Sequence, residues 1–318
     1  MDNTYYIGID IGGTRHNIGL SAQDGILVEH VEKQTDRLGG PKAMISSIVE
    51  IINQLISKNN IDKSRIKRIG IGFGGPVNSY KGIVIRSVHV DGWDNYPLAQ
   101  EIANLVNIPV IIDNDVNAAV LGEWYFGAGK GFQNIFYVNI GTGISGGAIV
   151  NNQLMRGASM NATEIGHLKV TEIPPRLCGC GSWGCLEALC SGDSIGRRAE
   201  ERITYEDSIL KIYNQKISGK MVYDAADQGD LVSREIIDQS IKILGTKIAD
   251  VVTLFNPDLV IIGGGIVSRP NSSFLNPLTS VIKRNAMKEA SAHVHIVKAR
   301  NGYLAGVTGA VALAIHAK

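Results

Sequence analysis

Two stretches of this chain follow one plan. Tyr6–Leu20 reads YIGIDIGGTRHNIGL and Phe136–Val150 reads FYVNIGTGISGGAIV. Each is an apolar strand, a turn of glycine and threonine, and a second strand. A repeat of this kind asks for two sheets, each started by its own hairpin-like pair. A chain of 318 residues also sits near the size at which one hydrophobic core stops growing, so two domains are expected. The turns themselves carry chemistry. Glycines let successive backbone N–H groups point at an anion, and Thr14 or Thr142 adds a hydroxyl. Asp10, at the end of the first strand, is placed to hold a metal ion through water, as magnesium prefers. Either turn alone would suit an ordinary hairpin, because a lone glycine loop has little specificity. Two such turns facing one another would clamp one polyphosphate between two domains.

The rest of the chain alternates strands and helices. Pro41–Asn59 repeats apolar residues at helical spacing, and Arg68–Phe73 is a strand running into Gly74-Gly75-Pro76-Val77. A glycine turn at the carboxyl end of a strand exposes amides where open α/β sheets bind ligands. Leu98–Val106 is a helix and Val110–Asp113 a short strand, followed by Asn114-Asp115 and a helix through Glu123. A carboxylate at such a junction is fixed by the scaffold yet close to a substrate, which suits proton transfer. The same residues would also serve as an ordinary helix cap, and Asp113 is read as structural. The second repeat ends at Asn151-Asn152. Beyond it, Ser191–Glu201, Tyr223–Gly229 and Leu231–Phe255 are helices. Asp258–Ile262 is a strand leading into Gly263-Gly264-Gly265, where glycines would let a flat base approach the backbone. Val294–Lys298 is a last strand and Gly302–Ile315 a last helix of small residues.

One segment fits neither pattern. EIGHLKVTEIPPRLCGCGSWGCLE, from Glu164 to Glu187, holds three of the four cysteines, Cys178, Cys180 and Cys185, with His167 upstream and glycines between the thiols. Three thiolates and one imidazole make a closed, four-coordinate structural zinc site. The competing reading is a set of buried or disulfide-paired cysteines.

Composition narrows the partners. The net charge is +1 and charged residues make up 19% without a basic run, which argues against nucleic acid. No apolar run is long enough for a membrane span, and MDNTYYIGID lacks the features of a signal peptide, so a cytoplasmic protein is expected.

With these motifs in order, the sequence resembles the ROK family of sugar kinases and related repressors, within the actin-like ATPase superfamily. The motifs that carry the resemblance are DIGGT, GFGGPV, IDNDVNAA, NIGTGISGG, Glu164-Ile165-Gly166-His167, CGCGSWGCLE and IIGGGI. It implies an α/β fold with two actin-like, ribonuclease-H-like domains of mixed sheets and an interdomain cleft for ATP and sugar. Residues 1–115, completed by a C-terminal helix at about 303–318, would form the first domain, and 116–302 a larger domain carrying the zinc loop. The implied activity is ATP-dependent phosphorylation of a hexose, at the 6-hydroxyl of glucose, with Asp115 as general base. Asn114, Glu164, His167, Glu187, Gly75 and His89 would line the sugar. Asp10, Gly12, Gly13 and Thr14 would face the phosphates and Mg2+, as would Gly141, Thr142 and Gly143. Gly263, Gly264 and Gly265 would lie near adenosine. Zn2+ would be held by His167, Cys178, Cys180 and Cys185. A homodimer is the default assembly, with no nucleic-acid or membrane partner.

The sequence also departs from the family. Arg15 stands where lysine is usual, His89 where asparagine is common, and Met160 and Thr163 where glycines usually precede Glu164. Met160, Thr163 and His89 turn the question toward which sugar is taken: glucose, or N-acetylmannosamine, fructose or allose. A sugar-sensing regulator is the other class. The repressors carry a helix-turn-helix ahead of the DIGGT strand, and none is readable here.

Overall fold

The structure, a computed structural model, describes residues 4–36, 38–87, 90–171, 173–269 and 274–316. The first elements are β1 (Tyr5–Ile11), β2 (Arg15–Ala22), β3 (Leu27–Gln34), α1 (Gly40–Lys58) and β4 (Ile66–Phe73). A short ladder follows, β5 (Val77–Asn78) with β6 (Ile83–Val84), then α2 (Leu98–Val106), β7 (Val110–Asn114) and α3 (Asp115–Phe126). Next come β8 (Ile135–Ile140), β9 (Ile144–Val150), β10 (Gln153–Leu154), α4 (Glu187–Cys190), α5 (Gly192–Arg202), α6 (Gly219–Asp227) and α7 (Leu231–Phe255). The chain ends with β11 (Leu259–Gly263), α8 (Leu275–Asn285), α9 (Lys288–His293), β12 (His295–Lys298) and α10 (Ala305–His316).

Two five-stranded sheets are ordered β3-β2-β1-β4-β7 and β10-β9-β8-β11-β12. The order is the same in both: third, second, first, fourth, fifth strand of the set. In the first sheet, β1–β2 and β2–β3 are antiparallel while β1–β4 and β4–β7 are parallel. In the second, β9–β10 is antiparallel and β8–β11–β12 is parallel. The duplicated motif thus starts two mixed sheets of one topology. The chain divides into two compact units: Met1–Gly131 with Gly147–Ala162 and Arg300–Lys318, and Phe132–Gly146 with Thr163–Ala299. Among the described residues no helix is long and apolar enough to cross a membrane.

In the first unit β1 is buried on both faces, with Ile7 and Ile9 fully enclosed; each such side chain contributes about 1.5–3 kcal/mol of burial free energy. A row of glycines lies across three neighbouring strands, Gly8 pairing in register with Gly19 and with Gly70. This row is where α10 sits. A Cβ at Gly8 would lie 2.5 Å from the Val307 carbonyl oxygen, and one at Gly70 would lie 2.1 Å from that of Ala310. Larger residues there would lift α10 off the sheet. α10 meets α3 equally closely, since a Cβ at Gly122 would be 2.9 Å from Gly309 Cα. The helix that begins with Asp115 is therefore held by glycine-mediated contact rather than by large side chains. α1 covers the sheet with Met44, Ile45, Ile48, Ile51, Ile52 and Leu55, as its helical spacing requires.

In the second unit, β8 and β11 are continuous apolar strands buried on both sides, as parallel strands between helices should be. α7 supplies a long buried face and ends at Asn256, whose φ of +44° gives the left-handed stop before β11.

Candidate functional site

In the first unit the strand ends converge on two carboxyl groups. Asp10 pairs in register with Asn17 on β2 and with Gly72 on β4. The turn after it closes through Gly12 N–H donating to the Arg15 carbonyl at 3.0 Å, and Thr35 N–H donates to the Thr14 carbonyl at 2.9 Å. The first turn of α10 reaches the same carboxyl: a Cβ at Gly306 would lie 2.2 Å from Asp10 Oδ2. Burial, then the neighbouring Asp115 charge, pushes the Asp10 carboxyl up to about 7, against a lowering hydrogen bond from Asn17 and the positive charge of Arg15. Asn17 Oδ1 is buried without a hydrogen-bond partner among the described residues. Arg15 donates to Tyr303 Oη at 2.8 Å and pairs with Glu32 at 3.2 Å.

Asp115 is the first residue of α3. Its Oδ1 accepts from Val116 N–H at 2.8 Å, and it makes no ion pair among the described residues. Burial raises it to about 6 even though the backbone amides of Val116 and of Asp115 itself lower it. Asn114 is the helix cap: its Oδ1 accepts from Val116 N–H at 2.9 Å while its Nδ2 donates to the Gly75 carbonyl at 3.1 Å. One amide hydrogen of Asn114 is left for a ligand. Asp113 is structural, as its position suggested. It is buried, pairs with Arg156 at 2.7 Å, and accepts from Asn117 Nδ2 at 2.9 Å and from Asn114 N–H at 2.8 Å. His89, an expected sugar contact, lies outside the described residues.

The second unit holds the other glycine turn. Gly141 N–H donates to the Gly143 carbonyl at 2.9 Å, and Gly192 N–H, opening α5, donates to the Gly141 carbonyl at 2.8 Å. Thr142 lies between them. The Gly263–Gly265 turn packs on the same strand end. Gly264 has φ +95°, and a Cβ there would lie 2.3 Å from the Ile140 carbonyl oxygen. A Cβ on Gly265 would meet nothing, so its glycine face is open.

Cys178, Cys180, Cys185 and His167 bring their donor atoms within 4.8 Å of one another. Cys180 and Cys185 Sγ are 3.7 Å apart, and Cys178 Sγ is 3.8 Å from His167 Nδ1. A tetrahedral zinc with bonds of about 2.0–2.3 Å spaces its ligands by roughly 3.5–3.8 Å, and these two spacings suit that ion. A disulfide does not fit, since it needs sulfurs at about 2.05 Å, and all four cysteines are free thiols. Burial pushes the Cys178 thiol up to about 12, helped by Cys180, Cys185 and Glu187 nearby. Such crowding of acidic groups calls for a cation. Lys169 supplies part of it from outside, its Nζ 3.4 Å from Cys185 Sγ.

Two links were not readable from sequence. Glu187 Oε2 accepts from Ile144 N–H at 2.8 Å and its Oε1 lies 3.8 Å from Cys178 Sγ. One carboxylate therefore joins the cysteine loop to the Gly141–Gly143 turn. Asn17 as partner of Asp10 was also missed, though the strand alternation places it opposite that residue. Glu164 opens a 3-10 turn, Ile165–His167, in which His167 N–H donates to its carbonyl at 3.0 Å.

A family model, the ROK family, matches residues 6–317. The chain belongs to the ROK family. Among ROK relatives it is 34% identical over 318 residues to a glucokinase of Thermotoga maritima, covering 98% of each chain. It is 32% identical over 313 residues to a glucokinase of Halalkalibacterium halodurans, covering 97% of this chain and 94% of that one. A ROK glucokinase of Streptomyces griseus, solved with glucose and AMPPNP, superposes with a TM-score of 0.81 at 31% identity, covering 98% of this chain and 99% of that one.

Proposed function

We propose that this protein is an ATP-dependent sugar kinase that phosphorylates the 6-hydroxyl of a hexose, glucose first among the candidates, with Asp115 as general base. The carrying observation is the Asp115 carboxyl, fixed at the start of α3, in no ion pair among the described residues, and raised to about 6 by burial. At neutral pH such a group is ionised yet remains a better proton acceptor than an ordinary aspartate. The acceptor hydroxyl gives its proton to Asp115 as its oxygen bonds to the γ-phosphorus. The bond from that phosphorus to the bridging oxygen breaks, and ADP leaves. Phosphoryl transfer of this kind rests on positioning and charge neutralisation.

Asn114, Gly75, Glu164, His167, Glu187 and His89 are assigned to the sugar. Gly12, Gly13, Thr14, Gly141, Thr142 and Gly143 are assigned to the phosphates, and Gly263–Gly265 to adenosine. Asp10 would hold Mg2+, which when bound supplies charge neutralisation on the phosphates; a recessed carboxylate with a buried amide oxygen beside it suits a hard cation. Zn2+ held by the one histidine and three cysteines would be structural, because four protein ligands leave no open position. Its role is to fix the loop that presents His167 and Glu187.

The side chains on left-handed backbone at Met160 and Thr163 favour a panel that reaches beyond glucose to related hexoses and N-acetylhexosamines. The test is coupled ADP release with Mg-ATP over that panel, for the wild type and Asp115→Asn. Turnover on one sugar is expected, falling by about 10²–10⁴-fold in the variant with sugar affinity nearly unchanged. No turnover on any sugar by folded protein, or a loss below about tenfold in the variant, contradicts the reading.

A further inference from the structure

The segment before Glu164 adopts backbone that glycine favours without using glycine. Met160 has φ +64° and Thr163 φ +67°. For a β-branched residue this is a true outlier, because its Cβ substituents crowd the neighbouring carbonyls. Such a conformation persists only where the surroundings over-determine it.

At Thr163 those surroundings are visible. Thr163 Oγ1 donates to the Gly146 carbonyl at 2.8 Å. The approach is mutual, since a Cβ at Gly146 would lie 2.4 Å from the Thr163 carbonyl oxygen. Ile165 N–H donates to that same oxygen at 2.6 Å, and His167 N–H donates to the Glu164 carbonyl at 3.0 Å. Glu164 is thus held on both sides by a lacing that the threonine hydroxyl ties to β9. Glycine would keep the turn without the hydroxyl bond, and valine would keep the side-chain shape without it.

We propose that Thr163 is a positioning residue. Its hydroxyl clamps a left-handed turn onto the carbonyl of Gly146 and so fixes the direction in which Glu164 is presented to the sugar. The proposal rests on the assignment of Glu164 to sugar binding made above. Thr163 acts through Glu164 and contacts no substrate itself.

Three variants test it: Thr163→Val, Thr163→Ser and Thr163→Gly. The hydroxyl-free pair, valine and glycine, should raise KM for the best hexose by about tenfold while kcat changes little, the signature of lost uniform binding. Serine should stay within about threefold of wild type. Hydrogen–deuterium exchange of the Ile165–His167 amides should quicken in the valine and glycine variants and not in serine. Glycine adopts the turn without strain, so it reports even if the valine variant does not fold. Unchanged KM and unchanged exchange in glycine would overturn the proposal. So would equal losses in serine and valine, which would make side-chain size rather than the hydroxyl decisive. If the wild type turns over no hexose, the kinase reading fails, and the exchange comparison alone still supports or overturns the clamp.

Discussion

The two glycine turns follow one plan in sequence, with glycine and threonine in swapped order, and they differ most in charge at the strand end. The strand-end residue is Asp10 in the first copy and Asn139 in the second. Both pair across a parallel ladder with a glycine, Asp10 with Gly72 and Asn139 with Gly263. The backbone frame is therefore the same, and the charge is not. The first turn adds a recessed carboxyl, backed by α10 at Gly306 and lifted to about 7 by burial and by Asp115. The second adds a neutral amide and is backed by the start of α5 and by Glu187, which accepts from Ile144. The two copies thus keep one backbone frame, and only the first carries a carboxyl at the strand end.

This division can be broken by exchange. Asp10→Asn makes the first turn resemble the second. It should lower turnover by about 10²-fold or more and weaken the response to added Mg2+, as expected when metal-assisted charge neutralisation is lost. Asn139→Ala should cost less than about tenfold. Steady-state kinetics across a magnesium titration would separate the two, and equal losses would remove the asymmetry.

A smaller effect sharpens the second half of the comparison. Cys180→Ala should take zinc content from one per chain to none by metal analysis. It should also lower the melting temperature and raise KM for the sugar by about tenfold, because a structural zinc contributes folding free energy and fixes Glu187 and His167. Unchanged metal content would remove the zinc assignment.

Much of the fold was legible. The apolar runs placed β1, β4 and β8, and the spacing in Leu231–Phe255 gave α7 to the residue at both ends. The failures have physical causes. β9 starts at Ile144 rather than Ala148, because Ser145-Gly146-Gly147 reads as a turn. Those glycines are instead demanded by close approach: a Cβ at Gly147 would be 3.0 Å from the Val116 carbonyl oxygen. α8 has no clear sequence signal, because Pro277 reads as a breaker, yet that proline lies in the first turn, where the N–H groups have no helical partner. The glycine row under α10 is a three-strand feature that no local pattern reveals.

For the site, residue types and spacing were enough to gather the four candidate metal donors, which the structure brings within 4.8 Å. They were not enough to show Glu187 bonded to a backbone amide, since that depends on where a segment 43 residues away returns; the Asn114 cap is local and was legible as one use of that residue. Left-handed backbone at Met160 and Thr163 is invisible to composition, because both residues normally avoid it.

The pH dependence of kcat/KM, for the wild type on its best sugar, tests Asp115 most directly. Asp115 is raised to about 6 by burial, so it is ionised and able to accept a proton above that pH, and protonated and idle below it. With Mg2+ saturating, wild-type kcat/KM should be level near neutrality and decline as pH falls through about 6, approaching tenfold per pH unit. A profile that stays level down to about pH 5, or breaks only near the ordinary aspartate value of about 4, would contradict Asp115 as the base.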